Sequence, residues 1–431
     1  MKYSQDQIDA IDGICDTLAI QSNRPSIAVL TGSAGTGKTT VVGEIIEKIK
    51  SRSPITPVAL CASTHRAANV LANTISHRIK VTTAHKLFKL RPVINDSGKE
   101  TIAVAGTSTI KPGSVVIIDE ASMIGTQFLK SIVNIVKTKN LNVVFVGDDY
   151  QLPPPSDICC IFDGSLPTFK LTTIHRQLHD NPILAKAAEF LEYIDGTRTS
   201  EPTIETCLNT KGQGIHILPH SEFISTFVGK YLNYTTGAEV DIPLCTYTNT
   251  SAINYNNMIR KATYFLEDVV EPFYPGERLI ANSVVMHGDK TILANNESVI
   301  VQHYQECSLA CNIPGYDVTV RGDYCEYKKT DIKTVFSPIS PAAANKVLKE
   351  YKKRAKADSS KQGWVEYYKI KNSLADLRPP FAGTTHKAQG GTFPAVFIDK
   401  TNLNKCRDKA TRARLFYVAL TRASDNVYIN S

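Results

Sequence analysis

The 431-residue sequence contains no run of 18 consecutive apolar residues, so no segment is a candidate membrane-crossing helix. Its opening residues also lack the apolar stretch of about 7–15 residues that a secretory leader carries. A soluble, cytoplasmic chain with no membrane partner is expected. None of the ten cysteines falls in a C-x-x-C pair, which argues against a zinc ribbon or a redox site. Cys307 and Cys311, with Cys325 beyond them, come nearest to a metal pattern, but the four-residue step and the missing fourth ligand disfavour zinc. Reduced, packed thiols are expected instead. A strong charge excess is missing too: 49 Lys and Arg against 41 acids leave +8, which only hints at polyanionic partners. At 42% hydrophobic and 21% charged, the chain is too apolar for disorder, and its length predicts two to four domains.

What is present alternates. Ile8, Ile11, Cys15 and Leu18 recur at helical spacing behind Ser4 and Gln7, which fit a capping box. A β-type run at 27–30 leads through a glycine-rich turn at 31–40 into an amphipathic helix at 41–49. Near-continuously apolar strands are predicted at 58–61, 115–118 and 143–146, as in parallel strands buried on both faces. Helical stretches at 67–75 and 125–136 lie among them, and a short hairpin at 93–96 and 101–104 interrupts the series. A second such region opens with 242–247 and the helix 251–260 and closes with the apolar runs 395–398 and 415–420. The α/β class follows, with a doubly wound arrangement. Residues 266–380 read as an insert with short β-like runs and then a lysine-rich helix. Between Lys346 and Lys371 nine Lys or Arg face three acids, interleaved with Trp364, Tyr367 and Tyr368. Such a mixture suits a nucleic-acid surface, although a charge run is more often a solvated helix face.

The strongest motif is G-x-x-x-x-G-K-[ST], formed by Gly32, Ser33, Ala34, Gly35, Thr36, Gly37, Lys38 and Thr39, with Thr40 next. It sits after a strand and before a helix, where backbone N–H groups and the helix N-terminus can cradle phosphate. Lys38 would reach the outer phosphates, and the Thr39 hydroxyl can ligate Mg²⁺. The strand at 115–118 ends in Asp119 and Glu120, the first placed to hold magnesium and the second to polarise the attacking water. ATP with Mg²⁺ is therefore the expected substrate and cofactor pair.

Further motifs occur in a fixed order. They are Cys61-Ala62-Ser63-Thr64-His65-Arg66, Thr83-Ala84-His85, Asp119-Glu120-Ala121-Ser122-Met123 and Gly147-Asp148-Asp149-Tyr150-Gln151-Leu152-Pro153-Pro154. After them come Thr384-Thr385-His386-Lys387-Ala388-Gln389-Gly390 and Tyr417-Val418-Ala419-Leu420-Thr421-Arg422-Ala423. The series resembles the Dda- and RecD-like group of superfamily 1 DNA helicases.

That resemblance implies two RecA-like P-loop domains, at 1–89 with 113–176 and at 177–265 with 381–431. It also implies a strand-separating hairpin at 90–112 and an SH3-like β-barrel with an extension at 266–380. By motif, Gln7 would read adenine, although its capping-box position also offers a structural role. Gln151 would sense the γ-phosphate and couple it to DNA, and Arg176 and Arg422 would reach the transferring phosphate. Gly390 would lie at the nucleotide. Thr64, His65, Thr83, His85, Thr384 and His386 would face single-stranded DNA. The implied activity is ATP-driven, 5′ to 3′ movement of a monomer on single strands and forked duplex in replication or recombination. Single-strand-binding and replisome proteins are the candidate partners. An RNA helicase and an ATP switch without unwinding are the alternatives. Intact Lys38, Glu120 and Arg422 argue against the switch, which needs no full hydrolytic set.

Overall fold

The computed structural model describes residues 3–18, 24–75, 79–94, 100–104, 108–154, 157–173, 181–232, 243–264, 271–288, 290–309, 311–322, 332–357 and 361–431.

The apolar runs become a parallel sheet in the order Val81–Thr83, Val58–Ala62, Val115–Asp119, Asn142–Gly147, Ser26–Gly32, Thr168–Leu171. Val143, Val144, Phe145 and Val146 are all fully buried, because helices cover both faces of the sheet. Lys38–Arg52 and Gln5–Thr17 pack on one face through Ile45, Ile46, Ile49 and Ile14, and Thr126–Lys139 packs on the other through Phe128 and Ile132.

A second sheet repeats the plan in the order Ala382–Thr384, Leu244–Thr246, Phe393–Ile398, Ala423–Asn430, Gly214–Leu218, Cys207–Leu208, parallel except at the last edge. The apolar run at 415–420 lies within the helix Lys409–Thr421, and every residue from Leu415 to Thr421 is buried. A helix buried all round carries no one-sided pattern, which is why periodicity alone leaves its type open.

Between the two halves of that sheet the chain builds an antiparallel sheet, ordered Ile332–Pro338, Pro314–Gly322, Ser298–Ser308, Arg278–Ala281, Leu377–Arg378. A buried ion pair ties it to the second sheet's helix Asn249–Thr263: Arg260 Nε donates to Glu277 Oε1 at 2.6 Å, and Arg260 Nη2 donates to Glu277 Oε2 at 3.0 Å. The lysine-rich segment, expected as one helix, is two helices packed on each other, Pro341–Ala357 and Lys361–Ser373. The hairpin pairs Leu90–Ile94 with Glu100–Val104, somewhat earlier than its sequence signal, and its tip at 95–99 lies outside the described residues. Among the described residues no helix is long and apolar enough to cross a membrane.

Candidate functional site

The strand Ser26–Gly32 runs straight into the phosphate-loop motif, and Lys38 begins the helix that follows. Gly35 and Gly37 hold φ of 87° and 82°, a region that L side chains avoid, so glycine is needed at both bends. Thr36 is fully buried and its hydroxyl donates to the Ser33 carbonyl at 2.9 Å, bracing the loop from inside. Lys38 Nζ rests on the Gly32 and Ser33 carbonyls at 2.6 and 3.0 Å. Thr39 and Thr40 stand in the helix's first turn.

Gln7 is 4% exposed and both ends of its amide are engaged: Oε1 accepts from Ser4 N–H at 3.2 Å, and Nε2 donates to the Thr36 carbonyl at 3.0 Å. The side chain expected to read adenine thus ties the first helix to the phosphate loop.

Asp119 ends the central strand, and its Oδ1 accepts from the Glu120 N–H at 2.8 Å. Glu120 adopts φ 52°, a left-handed conformation that is costly for a residue with a side chain and is held by its surroundings. Desolvation, with Asp119 adding to it, pushes the Glu120 carboxyl up to about 7, against the opposing charges of Arg422 and Lys38. Burial likewise raises Asp119. Among the described residues Glu120 Oε2 is buried with no hydrogen-bond partner, and so is the nearby Ser122 hydroxyl. A strained, desolvated carboxylate oxygen aimed at no protein group fits a residue that meets a water or ligand.

The second α/β unit reaches this cleft through one loop of the first. Gln389 Nε2 donates to Gln151 Oε1 at 3.3 Å and to the Leu152 carbonyl at 3.1 Å, and Arg414 Nη1 donates to the Asp149 and Gln151 carbonyls at 2.7 and 3.0 Å. Arg422 is 6% exposed and donates to the carbonyls of Gly391 and Val418 at 3.1 and 3.3 Å. Gly390, expected beside the nucleotide, sits at φ 76° against the first unit's helix His65–Thr74. A Cβ there would lie 3.0 Å from the Ala67 Cβ. Arg176 lies outside the described residues.

A groove of about 880 Å³ is walled by both α/β units and by the antiparallel sheet. Five of the six residues expected at a nucleic-acid strand line it: Thr64, His65, Thr83, His85 and Thr384. Thr64 and Thr83 also cap helices, each oxygen accepting a backbone N–H, which leaves the hydroxyl proton to donate elsewhere. Burial lowers the pKa of His65 and His85, keeping both imidazoles neutral at pH 7. His386 is not among the lining residues. Successive residues of the single-turn helix Thr385–Ala388 point about 100° apart, and it is Lys387 that lines the groove.

The sequence reading also missed most of the groove's charge. Among the described residues eight Lys or Arg line it, including Lys86, Lys89, Arg278, Lys333, Arg378 and Lys387, against one acid, Glu297, which Lys333 engages at 2.6 Å. Arg278, Lys333 and Arg378 belong to the antiparallel sheet, and the first two lie far along the chain from the motifs. Groove and cleft share backbone as well: the N–H of Ser63, a groove residue, donates to the Asp119 carbonyl at 3.2 Å.

Fold and site together define a P-loop nucleotide hydrolase of two α/β units with a basic groove across their junction. Comparison with known proteins narrows this. Residues 2–201 match the AAA domain family and residues 380–429 match the UvrD-like helicase C-terminal domain. The chain is 23% identical to the ATP-dependent DNA helicase Dda of Enterobacteria phage T4, over 95% of each chain. It is 22% identical to an uncharacterised protein of Acanthamoeba polyphaga mimivirus over 95% of this chain and 96% of that one. With the ATP-dependent RecD2 DNA helicase of Deinococcus radiodurans it shares 31% identity over 37% of this chain and 21% of that one. The two matched domains and these relatives indicate a superfamily 1 helicase of the Pif1/RecD-like group.

Proposed function

We propose that this protein is an ATP-dependent DNA helicase that moves 5′ to 3′ on a single strand and displaces the complement. The observation that carries this reading is the shared loop 148–152: the unit that supplies Thr384 and Lys387 to the groove also grips, through Gln389 and Arg414, the loop beside Glu120 and Lys38. Strand binding and nucleotide chemistry then act on one interface.

In this reading the phosphate-loop N–H groups and Lys38 hold the phosphates, and Glu120 orients and deprotonates the attacking water. Arg422 meets charge developing on the γ-phosphoryl oxygens, and Arg176 keeps the same role from sequence alone. Thr39 and Asp119 offer the alcohol and carboxylate oxygens that Mg²⁺ takes, and the unpartnered Glu120 oxygen beside them fits such a site. When bound, the ion would neutralise phosphate charge. Asp148 is fully buried near Lys38 and adds a further negative group to the cleft.

The domain limits are read as 1–89 with 113–176 and 177–265 with 381–431. The hairpin at 90–112 is read as the strand separator, and the antiparallel sheet as the SH3-like insert. The acting species is read as a monomer, and the paired basic helices as an outer DNA contact.

The test is strand displacement from a labelled duplex bearing a 5′ tail, compared with a 3′ tail, with ATP and a trap strand. Displacement from the 5′ tail alone is the expected result; none from either tail would reject helicase action, and displacement from the 3′ tail would reject the polarity.

The groove also makes binding depend on pH. Burial, with Arg378 beside it and Asp376 opposing, brings the Lys387 pKa down to about 8. The cationic form binds phosphate, so strand affinity is highest below about pH 8 and falls above it, by at most about tenfold per pH unit for one proton. Lys387→Arg, charged throughout, is expected to flatten that decline between about pH 7.5 and 9.5. Fluorescence anisotropy on a labelled oligonucleotide reads it, and an equal decline in both proteins would reject the assignment.

A further inference from the structure

Tyr417 stands in the helix Lys409–Thr421 of the second α/β unit, 1% exposed, yet both hydrogen bonds of its hydroxyl cross into the first unit. The oxygen accepts from the Ala34 N–H of the phosphate loop at 3.0 Å, and the proton is donated to Asp148 Oδ2 at 2.6 Å. Asp148 is itself fully buried, and its other oxygen accepts the Tyr150 N–H at 3.0 Å, so the carboxylate is fixed within the 148–152 loop. Beneath that loop, the Thr31 hydroxyl donates to Asp149 Oδ1 at 2.9 Å. The residue-417 ring packs in the second unit's core, among Phe416, Leu420 and Val396. The side chain is therefore anchored in one unit and saturated by the other.

We propose that Tyr417 is a positioning residue whose hydroxyl makes closure of the two α/β units set the shape of the phosphate loop and of the 148–152 loop together. The inference rests on the ATPase and DNA-groove reading above and adds the residue that completes the connection. Among the described residues Gln389 and Arg414 hydrogen-bond the 148–152 loop and make no hydrogen bond to the phosphate loop; Tyr417 bonds both. If the units part, Ala34 N–H and Asp148 lose a partner at the same moment, so a phosphate loop in its working shape and a closed interface form one state. DNA in the groove, gripped partly by Thr384 and Lys387 on the second unit, favours that state and so accelerates turnover. Nucleotide binding has other contacts, at Lys38 and along the loop backbone, and does not need the hydroxyl.

Tyr417→Phe keeps the packed ring and removes only the oxygen. The readouts are ATP turnover with and without single-stranded DNA, the KM for ATP and the unfolding temperature. The expected result is a ratio of DNA-stimulated to basal turnover at least about tenfold below that of the unsubstituted protein, with KM changed by less than about threefold. A purely structural role would scale both rates alike, so an unchanged ratio overturns the proposal. A second comparison covers poor folding of the Phe variant. Asp148→Asn keeps one oxygen that can accept from the phenol, at the expense of the Tyr150 N–H that the second carboxylate oxygen accepts, and Asp148→Ala keeps none, so the Asn variant should keep a ratio at least about fivefold above the Ala variant; equal ratios overturn the proposal. Absence of DNA stimulation in the unsubstituted protein would instead reject the helicase reading beneath it.

Discussion

Arg422→Ala is expected to lower DNA-stimulated ATP turnover by about 10³-fold or more while leaving nucleotide affinity within a few fold. The guanidinium comes from the second α/β unit, and its charge reaches Glu120 across the interface strongly enough to oppose that carboxyl's upward shift. A charge so placed matters most when negative charge spreads over the transferring phosphoryl group, so the loss falls on turnover and not on ground-state binding. The substitution also strips the donor from the buried Gly391 carbonyl, at a cost of about 1–3 kcal/mol for a group left unpaired, whereas the Val418 carbonyl keeps the Thr421 hydroxyl at 3.0 Å. Rates should therefore be normalised to the folded fraction. Arg422→Lys, with a compact ammonium in place of a planar fork, is expected to recover little. Steady-state turnover beside binding of a fluorescent nucleotide separates the two effects, and near-normal turnover would reject the assignment.

Glu120→Gln should reduce turnover by about 10²–10⁴-fold, the usual weight of a general base, and should also stabilise the nucleotide-free protein at pH 8. The second effect follows from the carboxyl's position among Asp119, Asp148, Lys38 and Arg422, where desolvation lifts its pKa to about 7. An acid whose folded pKa lies above its unfolded value binds the proton more tightly when folded. Its ionisation therefore costs stability, beginning near the unfolded value of about 4.5 and complete above about 7. The amide carries no charge to desolvate. Its advantage should be absent near pH 4, grow through that window and stay constant above it. Thermal unfolding of both proteins across pH 4–9 measures this; a gain that is largest at pH 4 would contradict the sign.

Much of the nucleotide site was legible from the residues because its parts are contiguous. Strand, glycine turn and Lys38 occupy one short stretch, and Asp119 follows four β-branched residues, so period and composition locate both. The groove was legible only in part. Thr64, Thr83 and Thr384 belong to motifs, but whether His386 or Lys387 faces the groove depends on the phase of a single helical turn, which no repeat in the sequence reports. Arg278 and Lys333 look like ordinary strand cations until the antiparallel sheet brings them into the same groove as Thr64.

By itself, then, the sequence determined two α/β units, their order, and where the phosphate-loop motif and the acidic strand end fall along them, because these follow from local periodicity and adjacent side chains. Only the tertiary structure decided that Tyr417 meets Ala34 across 383 residues, that Gly390 closes on Ala67, and that cations from three layers line one groove. The physical reason is that such contacts form where separately folded layers pack together. Their geometry depends on how the two sheets and the insert are arranged, which no local pattern of residues encodes.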